Sequence, residues 1–211
     1  MSDLYSQIAK ALASLPDSVW EIIEVVKVNP SSNSQMEGEL DECSMPQHLE
    51  PAYTQAQSGV FHVAADHIRA VSRELTPHAL TYSPWASARC VLEACSRAFW
   101  LSDTKIDYTE RASRTLNTRL QSVKNSLSFM RSTQSLHSGF SNAQIKQQKE
   151  RINYIRSEAC KLGISERFNS RNRFLDFGSG MPSYTDLADS IFQAGNTYRL
   201  LAGVTHGHEY A

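Results

Sequence analysis

The sequence predicts an all-α protein, a helical bundle with long antiparallel helices and a small N-terminal appendage. Three observations carry that expectation. Gly and Pro are sparse, 9 and 7 among 211 residues, too few for a loop-rich β protein. From Leu49 onward, apolar residues recur at i, i+3 and i+4, the period of a helix with one buried face. Helix punctuation, with Ser at starts and Gly at stops, falls between those periodic stretches. With 41% hydrophobic residues, the chain can bury one sizeable core, or a core plus an extension.

Residues 1–27 form the appendage. Leu4, Ile8 and Leu12 are helically spaced, whereas Trp20, Ile22, Ile23, Val25 and Val26 are β-branched-rich and read equally as helix or strand. Residues 28–48 read as a polar linker, because Asn-Pro-Ser-Ser-Asn-Ser has turn formers and almost no apolar content. The main bundle spans 49–211. Its first helix carries Val60, Val63, Ala64, His67, Ile68 and Val71, and Pro77 ends it. Ser83-Pro84 opens the next as N-cap and first-position proline. That helix, to Leu101, is apolar nearly all round and is expected at the centre. A long polar helix follows over about 107–131, and another over about 142–162 with Ser141 as N-cap and Gly163 as stop. Residues 164–182 read as a loop, and 183–206 as one last helix opened by Ser183 and closed by Gly207.

Net charge is −1, so no global basic field marks the chain as a nucleic-acid binder. The N-terminus lacks a basic-then-apolar leader and no apolar run approaches a membrane span, which predicts a cytoplasmic protein without a membrane partner. Four cysteines without a Cys-x-x-Cys spacing read as free, mostly buried thiols. His206-Gly-His208-Glu209 has no second ligand cluster to complete a metal site, so neither metal nor cofactor is expected. Gly178-Ser-Gly180 lacks the Lys-Ser/Thr of a phosphate loop, and no Gly-x-Ser-x-Gly elbow occurs.

The candidate chemistry lies in Arg199 and His206. Seven steps of about 100° return to one helical face, roughly 10 Å further along the axis. A guanidinium that holds phosphate and an imidazole that moves a proton form a minimal phosphodiester-cleaving pair. The Arg-x(4–6)-His pattern occurs three times, at Arg73/His78, Arg131/His137 and Arg199/His206. Pro77 interrupts the first, and the second lies at the Ser/Thr-rich end of a long helix. Only the third shares its helix with a packing face (Leu187, Ile191, Ala194, Tyr198, Leu201 and Val204/Thr205). The bland alternative makes Arg199 a surface cation and His206 a group suited to the helix C-terminus. A second constellation, Arg89, Glu93 and Arg97 at i, i+4 and i+8, reads either as an ion-pair ladder or as part of an anion site shared with Arg199. Two helices with several basic residues, Arg111, Arg114 and Arg119 among them, read mostly as solvated faces. Arg167, Arg171 and Arg173 are the better phosphate contacts if RNA binds.

Two passages, Ala88-Arg-Cys-Val-Leu-Glu-Ala-Cys-Ser-Arg-Ala-Phe-Trp-Leu-Ser-Asp103 and Tyr198-Arg-Leu-Leu-Ala-Gly-Val-Thr-His-Gly207, resemble uncharacterised bacterial helical proteins that are similar in turn to the HEPN superfamily. The resemblance covers about residues 50–208. It implies a helical bundle, commonly homodimeric, and often a metal-independent endoribonuclease of toxin or antiphage systems, with RNA or nucleotide as ligand and an antitoxin or regulatory protein as partner. Its Arg-x(4–6)-His pattern maps onto Arg199 and His206, with Tyr198, Arg89, Glu93 and Arg97 as supporting or binding residues. Active members usually carry Asn, His or Asp after the arginine; here Leu200 follows. The alternatives are a non-catalytic module that binds nucleotide, nucleic acid or protein, and a small-molecule enzyme with a closed pocket between the 84–101 and 183–206 helices.

Overall fold

The computed structural model describes residues 2–28, 34–43, 47, 50, 62–75, 83–134 and 142–205. Among them the chain forms eight helices and one two-stranded sheet, in agreement with an all-α bundle. The helices are α1 (Ser2–Val28), α2 (Gln35–Glu42), α3 (Ala65–Glu74), α4 (Ser83–Leu101), α5 (Tyr108–Gln134), α6 (Asn142–Lys161), α7 (Tyr184–Phe192) and α8 (Gly195–Thr205). The strands β1 (Glu166–Phe168) and β2 (Phe174–Phe177) lie between α6 and α7.

Packing divides these elements into two compact units. The first holds described residues of 1–38, 53–103 and 182–211; the second holds those of 39–52 and 104–181.

In the first unit, α1 is one continuous helix, which settles the ambiguity of its β-branched half. Pro16 sits inside it, fully buried. Helix α1 packs along α3, and Asp17 accepts a 3.0 Å hydrogen bond from Arg69 Nη2. A π-helical turn at His62–Ala64 leads into α3, which buries Ala64 and Ala65 and leaves Asp66 and Arg73 in solvent. Helix α4 is central, as expected, since α3, α7 and α8 all pack against it. Its C-terminal turns supply the core residues Ala98, Trp100 and Leu101.

The expected single helix over 183–206 is two helices. Ser183 caps α7 by accepting from the Asp186 N–H at 3.2 Å. After Phe192 the chain leaves helical geometry: Gln193 takes φ 54°, and the Ala194 N–H reaches back to Ala188 O at 3.0 Å. Asp189 Oδ1 then accepts the Gly195 N–H at 3.2 Å, an orphan donor of the next helix start. A Cβ at Gly195 would stand 2.8 Å from that oxygen, so the closure needs glycine. The break comes from a side chain six residues upstream, a signal that periodicity does not carry.

The second unit is built on α5 and α6, which pack side by side with Arg119 of α5 paired to Glu158 of α6 at 3.0 Å. Helix α6 ends at Gly163 (φ 69°), as expected. The Gly163 N–H bonds Cys160 O and the Ile164 N–H bonds Ala159 O, satisfying carbonyls the helix leaves open. The segment expected as a loop contains the antiparallel β1–β2 hairpin, with an irregularity between Arg167 and Phe168. Asn117 of α5 clamps it, donating to Phe177 O and accepting from the Phe177 N–H, both at 2.9 Å. Helix α2 lies inside the stretch expected as a polar linker. Its Glu39 is buried and receives Arg111 Nε at 2.8 Å and Nη2 at 3.0 Å. Arg111, expected on a solvated face, is 1% exposed; a charge so buried is tolerable because it is paired bidentately.

Candidate functional site

Arg89 and Glu93 are one helical turn apart and share a face of α4. Tyr198 and Thr205 are two turns apart and share a face of α8. Those two faces meet. Arg89 Nε donates to Glu93 Oε1 at 2.8 Å, and Arg89 Nη1 donates to Thr205 Oγ1 at 2.9 Å. The Tyr198 hydroxyl donates to the same Glu93 oxygen at 2.8 Å, while Arg89 Nη2 lies 3.5 Å from that hydroxyl. Side-chain exposure is 23% for Arg89 and 24% for Glu93, so the network is partly desolvated and its charges offset one another.

The proton affinities follow that geometry. Burial opposes the Arg89 charge, but the hydrogen bond and negative charge of Glu93 outweigh it and raise the pKa. Burial, then the Glu93 hydrogen bond and charge, push the Tyr198 phenol above its ordinary value. Tyr198 therefore remains a hydrogen-bond donor.

Arg97, one turn beyond Glu93, is not bonded to it. Its guanidinium lies over the Tyr184 ring, 5.0 Å from the centroid, and burial lowers its pKa despite the opposing charge of Glu93. The expected ladder is thus a single Arg89–Glu93 pair with Arg97 apart from it. Arg97 and Glu93 line an open cavity of about 200 Å³, together with Cys90, Ala94 and Tyr184. A closed pocket between the 84–101 helix and the last helices was the expected mark of a small-molecule enzyme. The cavity here does lie between α4 and the start of α7, with Val63 and His67 as a further wall, but it is open rather than closed.

Arg199 follows Tyr198 and so points about 100° away around α8. It is exposed, and its Nη1 donates to Asn196 Oδ1 at 3.0 Å on its own helix. His206, with the His206-Gly-His208-Glu209 tail, lies outside the described residues, as do His78, His137 and Ser141. Among the described residues no group of three His, Cys, Asp or Glu side chains is placed to hold a metal ion. No described helix is long and apolar enough to cross a membrane. The four thiols are free, but only Cys43 is buried, and Cys160 is exposed.

In the second unit Arg167 is occupied. Its Nε donates to Asp176 Oδ1 at 2.6 Å and its Nη1 to Ser179 O at 2.8 Å. Arg171 and Arg173 are exposed at the hairpin turn, which Asn169 organises by accepting both of their backbone N–H groups at 2.9 Å.

Sequence reasoning named Arg89, Glu93 and Tyr198, and the fold brings them together. It overlooked Thr205 and Tyr184 as partners of the arginines. The seven-residue step from Tyr198 to Thr205, a phenol and a hydroxyl on one face, was the available signal for the first. Compared with family models, curated proteins and solved structures, the chain matches none.

Proposed function

We propose that the chain is an HEPN-like protein acting on RNA as a metal-independent endoribonuclease of the toxin or antiphage type. The observation that supports this reading is the Arg89–Glu93–Tyr198–Thr205 network. It joins the two passages in which the resemblance lies, and it fixes the face of α8 adjoining Arg199. An exposed guanidinium on a rigid helix suits a polymeric substrate, which cannot enter a small cavity.

In this reading Arg199 binds the scissile phosphate and stabilises the phosphorane charge. His206, seven residues on, takes the 2′-hydroxyl proton or protonates the departing 5′-oxygen. The 2′-oxygen forms a bond to phosphorus as the P–O5′ bond breaks. The products are a 2′,3′-cyclic phosphate and a 5′-hydroxyl. A homodimer would set two Arg199/His206 pairs in one composite site, and an antitoxin or regulatory protein would restrain it.

Leu200 favours a second reading, binding without cleavage. It is 45% exposed beside Arg199, where active members of the superfamily usually carry a polar side chain. Expression in a bacterial host separates the two. A nuclease slows growth, and His206→Ala relieves the effect while the protein remains folded. For a binder, His206→Ala leaves any growth phenotype in place and Arg199→Ala weakens RNA retention.

A further inference from the structure

We propose that the cavity walled by α3, α4 and α7 binds the oxyanion head of a small ligand, with Arg97 as its cation. The site is separate from Arg199 and independent of the nuclease reading. Cys90, Glu93, Ala94 and Arg97 stand at i, i+3, i+4 and i+7 of α4 and make one continuous wall. Tyr184, the first residue of α7, lines the cavity too.

Arg97 is the unusual member. Its Nε is buried without a hydrogen-bond partner, and among the described residues no carboxylate pairs with its guanidinium. The other shielded arginines among the described residues each have a carboxylate: Arg69 with Asp17, Arg89 with Glu93, Arg111 with Glu39, Arg114 with Glu110, Arg119 with Glu158 and Arg156 with Glu166. A half-buried guanidinium whose direct contact is an aromatic face is desolvated with only the through-space charge of Glu93, itself paired to Arg89, to offset it. An incoming oxyanion supplies that charge through charge-assisted hydrogen bonds.

The walls also limit what enters. A volume of about 200 Å³ lies below the roughly 300–1,000 Å³ of pockets for drug-sized ligands. Val63 and Ala94 offer apolar contact, and His67 lines the same wall. Glu93 remains a negative wall, its charge only offset by Arg89. That combination favours a small, singly anionic head on an apolar or aromatic body. Carboxylate and phosphate share this chemistry.

Thermal unfolding of the full chain tests the proposal, with sodium benzoate, phenyl phosphate and inorganic phosphate compared against chloride at matched ionic strength. At least one anion should raise Tm with concentration, as a ligand of the folded state must. Arg97→Met should weaken that binding by about tenfold or more, with a Tm in chloride equal to or above that of the wild type. Ala94→Phe, which fills the cavity and leaves Arg97 in place, should abolish the response as well. A benzoate response identifies a carboxylate ligand, and a response to the phosphates alone identifies a phosphorylated one. The proposal is overturned if no anion raises Tm, or if the rise persists in Arg97→Met or Ala94→Phe.

Discussion

Arg89 reaches across 116 positions of sequence to donate a 2.9 Å hydrogen bond to Thr205. The same side chain is paired with Glu93, which Tyr198 also binds. One partly desolvated cluster therefore fastens the last helix of the first unit to its central one. Tyr198→Phe should destabilise the protein by about 1 kcal/mol, and Arg89→Met by about 1–3 kcal/mol, since the latter leaves Glu93 without its cation. The double variant should cost less than the sum by more than about 0.5 kcal/mol. Urea unfolding of all four proteins checks this, and strict additivity would show that the residues act separately.

Glu39 and Arg111 form the most deeply buried ion pair among the described residues, with side chains 10% and 2% exposed. Glu39→Ala removes the bidentate carboxylate from a buried guanidinium and should cost about 3–5 kcal/mol. A loss below about 1 kcal/mol, measured by the same unfolding assay, would mean that α2 contributes only a polar tether.

Gly178 has φ 51°, and a Cβ there would lie 2.5 Å from the buried Ser113 Oγ. Gly178→Ala therefore meets both a strained backbone and a side chain with little room. The expected loss is about 1–3 kcal/mol, read as a lower denaturation midpoint. Gly38→Ala, where nothing stands within 4 Å, serves as the control and should be neutral or slightly stabilising.

Arg156 grips Glu166 through two 2.6 Å hydrogen bonds, and those bonds, then its charge, hold the Glu166 pKa below the ordinary carboxylate value despite some burial. A depressed folded-state pKa gives stability that is complete above the unfolded value and is lost as pH falls through the folded one. Wild-type stability should thus decline on acidification through and below the carboxylate range. Glu166→Gln should flatten that decline while lowering stability at neutral pH. An unchanged acid limb in this variant would remove Glu166 as a source of the slope.

Much of the fold was legible because it rests on local signals. The period of α4, the Gly163 stop and the Ser183 cap each lie within a turn of the feature they specify. The misread parts depend on distant partners. Gln193 and Gly195 break the last helix because Asp189 closes over the start of α8. Residues 35–42 form a helix whose one buried charge answers Arg111, 72 positions away. The apolar stripe that runs through 183–206 hides the first, and a polar stretch without such a stripe gives no sign of the second. The hairpin was missed for a related reason: its strands are three and four residues long, too short for an alternation to register. At the candidate site, i, i+4 spacing identified Arg89 with Glu93 but left open whether Arg97 pairs as well, and the fold turns Arg97 toward Tyr184.

In the proposed function Arg199 and His206 cut RNA without a metal. Purified protein incubated with a mixed RNA pool in EDTA, beside the Arg199→Ala and His206→Ala variants, tests it most directly. The wild type should leave 2′,3′-cyclic phosphate ends, and neither variant should. Intact RNA with folded wild-type protein, or equal cleavage by all three, would contradict it.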